Sequence, residues 1–122
     1  MAVARDCLQV RGLKLWSHVG VLSFEQLEGQ WFELDLRLGV NCSDIASSDA
    51  LADTLDYSQL IAGLQRQALE LRCQTIEFYS ERILELVEEL YGAIPIHLQL
   101  CKCQAPVPGF DGLVAIERYR RW

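Results

Sequence analysis

Histidine and lysine are scarce: two of each occur in 122 residues. His18 and His97 alone cannot supply the histidine cluster of a catalytic zinc site, and no Cys/His spacing matches a zinc motif. A Gly-rich phosphate loop is missing, and so is the Gly-x-Ser-x-Gly elbow of hydrolases. No apolar run approaches membrane-crossing length. Positive charge is also short. Lys14, Lys102 and nine arginines face 17 acidic residues, for a formal net charge of -6. Such a chain repels phosphate backbones, so neither nucleic acid nor a membrane is an expected partner. The cysteines, Cys7, Cys42, Cys73, Cys101 and Cys103, are odd in number and include no CxxC pair. Met1 to Val10 is broken by Arg5 and Asp6 and holds no secretory core. The expectation is a cytoplasmic protein with reduced thiols.

What remains is ordinary globular composition, 51% hydrophobic and 23% charged, which excludes disorder. The length predicts a single domain over residues 1–122. A domain this small has little chain left to wrap a deep pocket.

The clearest pattern is Trp31 to Val40. Phe32, Leu34, Leu36, Leu38 and Val40 share one face, and Glu33, Asp35 and Arg37 share the other. A period of two predicts a half-buried antiparallel strand. Cys7 to Leu15 is a weaker strand with Gly12 as a candidate bulge. Ser17 to Gln30 reads as a long loop, and Asn41 to Thr54 as an irregular connection. A helix begins at Tyr57, capped by Asp56 with Gln59 three residues on, and its stripe is Leu60, Ile61, Leu64, Ala68 and Leu71. Gly63 costs that helix about 1 kcal/mol relative to alanine. Thr75 caps a second helix from Ile76 to Tyr91, and Gly92 stops it. Ile94 to Cys103 and Leu113 to Arg120 are further strands, joined by a turn-rich loop. The order β-β-α-α-β-β predicts an α+β domain: a four-stranded antiparallel sheet with two helices on one face. Its open edges favour assembly into a ring or barrel.

Lys102 follows Ile96, Leu98 and Leu100 in the alternating register, so it falls on the apolar face. Partial desolvation there suits an ammonium to proton transfer or Schiff-base chemistry; equally, it snorkels from a strand end. Glu77 lies in the first turn of the second helix. The helix dipole alone explains a carboxylate there; the functional alternative is an anchor for paired N–H donors. Glu25, near His18, is either an acid/base or a solvated loop carboxylate. The Tyr57 hydroxyl donates a proton or its ring packs.

Together these pieces resemble the dihydroneopterin aldolase family. Gly20-Val-Leu-Ser-Phe-Glu25, Gly29-Gln30-Trp-Phe32, Ser48-Asp49 with Asp53-Thr54-Leu55-Asp56-Tyr57, Thr75-Ile76-Glu77 with Glu81-Arg82-Ile83, and Lys102 with Ala105-Pro106-Val107-Pro108-Gly109 are similar to its segments in order and spacing. The resemblance implies a T-fold, assembled as a four-subunit ring and commonly as an octamer. It implies a pathway, folate biosynthesis, and a carbon–carbon lyase reaction. In that reaction, 7,8-dihydroneopterin is cleaved to 6-hydroxymethyl-7,8-dihydropterin and glycolaldehyde, with 2′ epimerisation to dihydromonapterin. No metal and no cofactor are implied. Lys102 would be the acid/base, working through a water that Glu25 holds. Glu77 would grip the pterin, and Tyr57 of a neighbouring subunit would protonate the enol. Leu55 and Ile76 would wall the pterin slot. Two departures stand out: Cys103 replaces a common proline, which predicts a less rigid strand end, and His18-Val19 precedes Gly20 where the family commonly pairs Tyr or His with Gly.

Three alternatives compete. A triphosphate 2′-epimerase needs a cationic rim, for which this acidic chain has only scattered arginines. Zinc-dependent T-fold synthases need more histidines. A non-catalytic pterin- or purine-binding ring would not need Lys102.

Overall fold

The alternation of residues 31–40 becomes β2 (Gln30–Val40), the centre of the sheet in the computed structural model, which describes residues 6–122. Phe32, Leu34, Leu36 and Leu38 are fully buried beneath the helices. Arg5, one of the charges that break up the chain's start, lies outside the described residues. β1 (Asp6–Val19) pairs antiparallel with β2 on one side, and β4 (Ile96–Lys102) on the other. β5 (Val114–Arg120) follows beyond β4. The register shifts between Val10 and Leu13, where Gly12 has φ +70°, so the expected bulge is present.

The helices α3 (Tyr57–Glu70) and α4 (Ile76–Tyr91) cover one face, as expected. The Asp56 carboxylate accepts the Ser58 and Gln59 N–H groups, and Thr75 Oγ1 accepts from Phe78 N. Leu60, Leu64 and Ala68 of α3 meet Tyr79, Ile83 and Val87 of α4 in one core with the strands. Each such large side chain contributes about 1.5–3 kcal/mol by leaving water. Arg118 and Arg120 of β5 reach the Glu81 carboxylate, and Arg120 and Arg121 reach Glu88, tying β5 to α4.

Three expectations need correction. The sheet has five strands, in the order β3-β1-β2-β4-β5. The extra strand, β3 (Arg72–Cys73), runs parallel to His18–Val19 between α3 and α4. Two residues are too few for any period to show. The segment 17–30 is not one loop: β1 continues to Val19, and α1 spans Ser23–Glu28. The Leu22 N–H donates to Glu25 Oε1 at 3.1 Å, which holds the first turn of this six-residue helix. Likewise, 41–54 contains α2 (Ser43–Ser48) and a 3-10 turn, Leu51–Asp53. Such short helices carry less than two turns of pattern. No helix among the described residues is long and apolar enough to cross a membrane.

Candidate active site

The last residue of β4, Lys102, stands opposite Phe32 and points to the helix-covered face, as the alternation requires. Its ammonium lies 2.6 Å from Glu25 Oε2, with only 18% of the lysine side chain exposed. The snorkelling alternative therefore fails: the charge is paired, not led to water. Glu25 is not a solvated loop carboxylate either. It is 2% exposed and sits in α1.

Glu25 is held from three sides. Lys102 and Gln30 Nε2, at 2.7 Å, reach Oε2, while the Leu22 N–H reaches Oε1. Gln30 Nε2 also donates to the Val19 carbonyl at 2.8 Å, which braces the amide against β1. Burial works to raise the Glu25 carboxyl, but the hydrogen bonds from Lys102, Gln30 and Leu22 outweigh it and hold it below the usual carboxylate range. The group is therefore an anion at neutral pH, matched to an ammonium.

Gly20 makes room for this anion. A Cβ at position 20 would lie 2.3 Å from Glu25 Cδ. The backbone there is also fixed: Gly20 N–H donates to Cys73 O at 3.0 Å, and Gln26 Nε2 donates to Gly20 O at 2.8 Å. His18, considered as a neighbour of Glu25, instead places Nδ1 2.9 Å from the Gln26 carbonyl.

Cys103 does not loosen the strand end. Its N–H donates to Trp31 O at 3.3 Å, a ladder bond that proline could not make. The thiols of Cys73 and Cys101 are pushed up by burial, which disfavours the nucleophilic thiolate.

Ile76 and Glu77 open α4 at the same end of the molecule. Thr75 follows the Cys73–Gly20 contact closely, and the Tyr79 ring packs edge-on against Phe32 at 5.3 Å. Ile76 is half-buried against the core. Glu77 is exposed, and among the described residues its carboxylate has no hydrogen-bond or ion-pair partner.

Leu55 and Tyr57 lie elsewhere. Leu55 and Thr54 line a cavity of about 440 Å³ with Val40, Asn41 and Ile94. That is the far end of β2 from Phe32, about 26 Å away at 3.3 Å per residue. Tyr57 opens α3 beside it, 56% exposed. The Tyr91 hydroxyl donates to Asp56 O at 2.6 Å and ties this end to the end of α4. One chain thus carries two separated groups: Lys102, Glu25, Ile76 and Glu77 at one end, Leu55 and Tyr57 at the other. Among the described residues, no group of three or more His, Cys, Asp or Glu side chains is placed to hold a metal ion.

The sequence alone points to no role for Gln30 or Gly20. Gln30 directly follows a glycine at a strand start, where a polar residue is unremarkable; only the folded contact distinguishes it.

The dihydroneopterin aldolase family model matches residues 8–118 of this chain. The chain belongs to that family. The "Probable dihydroneopterin aldolase" of Synechocystis sp. is 36% identical over 115 residues, covering 94% of this chain and 98% of the relative. A solved Vibrio cholerae structure of the same family superposes with TM-score 0.82 at 29% identity, over 97% of this chain and 100% of the other. The Escherichia coli dihydroneopterin aldolase, solved in complex with neopterin, has the same fold. Its TM-score is 0.80 at 24% identity, over 93% of this chain and 98% of the other. Membership of the dihydroneopterin aldolase family extends to nearly the full chain, so both separated residue groups fall inside the matched region.

Proposed function

We propose that this protein is a cytoplasmic dihydroneopterin aldolase of folate biosynthesis that cleaves 7,8-dihydroneopterin and epimerises its 2′ carbon. The observation that carries this reading is the buried Lys102–Glu25 pair at 2.6 Å, at the same end of the chain as a Glu77 carboxylate that has no hydrogen-bond or ion-pair partner among the described residues. A retro-aldol step needs a base for the 2′-hydroxyl and a sink for the electrons of the C1′–C2′ bond. The dihydropterin C=N bond is the sink, so no lysine imine is needed. Lys102, once its ammonium has passed its proton to solvent, takes the hydroxyl proton through a water that Glu25 holds. The Glu25 carboxylate then stabilises the ammonium formed. Glycolaldehyde leaves, and the enol at C1′ is protonated with help from Tyr57. Adding the aldehyde back to its other face gives the 2′ epimer.

Glu77 accepts the pterin 2-amino and ring N–H donors in parallel, which fixes the ring. Leu55 and Ile76 close the apolar walls of the slot. Since Leu55 and Tyr57 lie far from Lys102 within one chain, the site is shared between neighbouring subunits of a homo-oligomer, a four-membered ring or a pair of rings. The free substrate is favoured over its triphosphate, because Arg118, Arg120 and Arg121 are spent on Glu81 and Glu88. The test is glycolaldehyde release from 7,8-dihydroneopterin and from its triphosphate, measured side by side. Release from neither sinks the assignment, and faster turnover of the triphosphate makes the protein the epimerase-type relative. A protein that binds the pterin without turnover is the non-catalytic ring.

A further inference from the structure

The helix-free face of the sheet holds a second polar site. A recess of about 150 Å³ is lined there by Gln9, Arg11, Asp35, Arg37, His97 and Gln99. It is smaller than the pockets that enclose drug-sized ligands, and its size suits a small ion or a single charged group.

Strand register builds it. Arg37 stands opposite Gln9 on one side and His97 on the other, and Asp35 stands opposite Gln99. The bulge at Gly12 gives β1 an extra residue, and this is where Arg11 joins the recess. Five arginines elsewhere each donate to an oxygen: Arg72, Arg82, Arg118, Arg120 and Arg121. Arg11 and Arg37 do not: among the described residues, neither guanidinium has a hydrogen bond or an ion pair. Asp35 does not neutralise both, and its Oδ1 already accepts the Gly12 N–H at 2.6 Å. His97 Nε2 is shut from solvent, without a hydrogen-bond partner among the described residues. Its ring is held by stacking on Tyr119 at 4.6 Å. Glu117, opposite Gln99 on β5, is engaged by the Tyr119 hydroxyl, so among the described residues both guanidiniums keep their N–H donors free within the recess.

We propose that Arg11 and Arg37 form, beside the His97 ring, a binding site for a phosphate-type oxyanion. Guanidinium groups present paired N–H donors that fit such oxygens, and the His97 ring, fixed against Tyr119, walls the recess beside them. The Gln9 and Gln99 amides extend the set of donors. The site is distinct from the proposed active site. His97 and Gln99 alternate along β4 with Leu98, Leu100 and Lys102, so the recess and the Lys102–Glu25 pair occupy opposite faces of the sheet.

The chain's two histidines make the test direct. Imidazole NMR signals of the untagged protein are followed while inorganic phosphate, and separately glycerol phosphate, replaces chloride at constant pH and ionic strength. His97→Asn assigns the resonances. His18, whose Nδ1 lies on the Gln26 carbonyl, serves as the internal control. The expected result is a saturable shift of His97 with at least one of the two, little change at His18, and at least tenfold weaker binding in Arg11→Gln/Arg37→Gln. Saturation by inorganic phosphate alone identifies the free ion as ligand, whereas tighter glycerol phosphate binding identifies a phosphomonoester. No saturation by tens of millimolar, equal shifts at both histidines, or unchanged binding in the double variant overturns the proposal. Glycolaldehyde release in phosphate-free buffer is expected to be the same in wild type and double variant.

Discussion

Gly20 and Glu25 occupy one another's space: a Cβ on residue 20 would sit 2.3 Å from the carboxyl carbon of residue 25. The bare glycine lets a charged side chain fold back under its own loop, where Lys102, Gln30 and the Leu22 N–H converge on it. The Lys102–Glu25 pair therefore depends on a residue that touches no substrate in the proposed reaction.

Gly20→Ala is expected to expel the Glu25 carboxylate and lower turnover at least tenfold. The backbone bond from Gly20 N–H to Cys73 O can persist, so the variant should fold. Glycolaldehyde release and a thermal melt check this together. A folded variant with wild-type turnover would show that the position of Glu25 is unimportant.

Removing Lys102 has two consequences. In Lys102→Ala, Glu25 becomes a buried anion without its cation, and breaking such a pair costs about 3–5 kcal/mol. Turnover should fall by orders of magnitude while pterin binding stays measurable. Lys102→Ala/Glu25→Gln should recover much of the stability and none of the activity, because the unpaired charge is gone but so is the acid/base. Paired denaturation curves and initial rates test both halves.

The direction of the Glu25 shift sets a pH dependence. Its carboxyl is lower in the folded protein than the ordinary 4.5. The folded state thus binds this proton less readily than the unfolded chain. The contribution of Glu25 to stability is complete above about 4.5 and is lost as pH falls through the lower folded value. Urea midpoints measured through that acid range should fall less steeply in Glu25→Gln than in wild type. Parallel curves would show that another carboxylate carries the acid loss.

Gln30→Leu leaves the Val19 carbonyl and one lobe of Glu25 short of a donor, at a cost of about 1–3 kcal/mol. If Gln30 positions the carboxylate, kcat should fall several-fold with little change in KM, because the pterin anchor at Glu77 is untouched. A change in KM alone would make Gln30 a substrate contact instead.

Glu77→Gln keeps the helix start and removes the charge that the pterin donors meet. Substrate affinity should drop at least tenfold, with stability nearly unchanged because Glu77 is exposed and unpaired among the described residues. A shared site makes a separate demand. Co-expressed Lys102→Ala and Tyr57→Ala chains should regain activity that neither has alone, since mixed neighbours rebuild intact sites. Absence of any recovery in oligomers shown to contain both chains would place each site within one subunit.

Several of these features were readable before folding. Alternation placed Lys102 on the face of Leu98 and Leu100, and its burial followed. Asp56 and Thr75 were legible as caps because a cap acts on N–H groups only two or three residues ahead. From sequence Glu25 reads as a loop residue, and the structure places it in a helix. Its helix is six residues long, and the cation that makes its burial tolerable arrives from β4, on the far side of β2 from β1. β3 escaped notice for a similar reason: its two residues are strand only because His18 and Val19 lie alongside.

Sequence by itself determined the four longer strands and the two long helices, because periodicity and capping are local properties that neighbouring residues impose through backbone geometry. It also carried the family likeness. Only the tertiary structure decided that Lys102 meets Glu25, that Gly20 leaves the space for it, and that Tyr57 stands at the opposite end of the chain. Contacts between residues distant along the chain depend on strand register and helix docking, which no local pattern encodes.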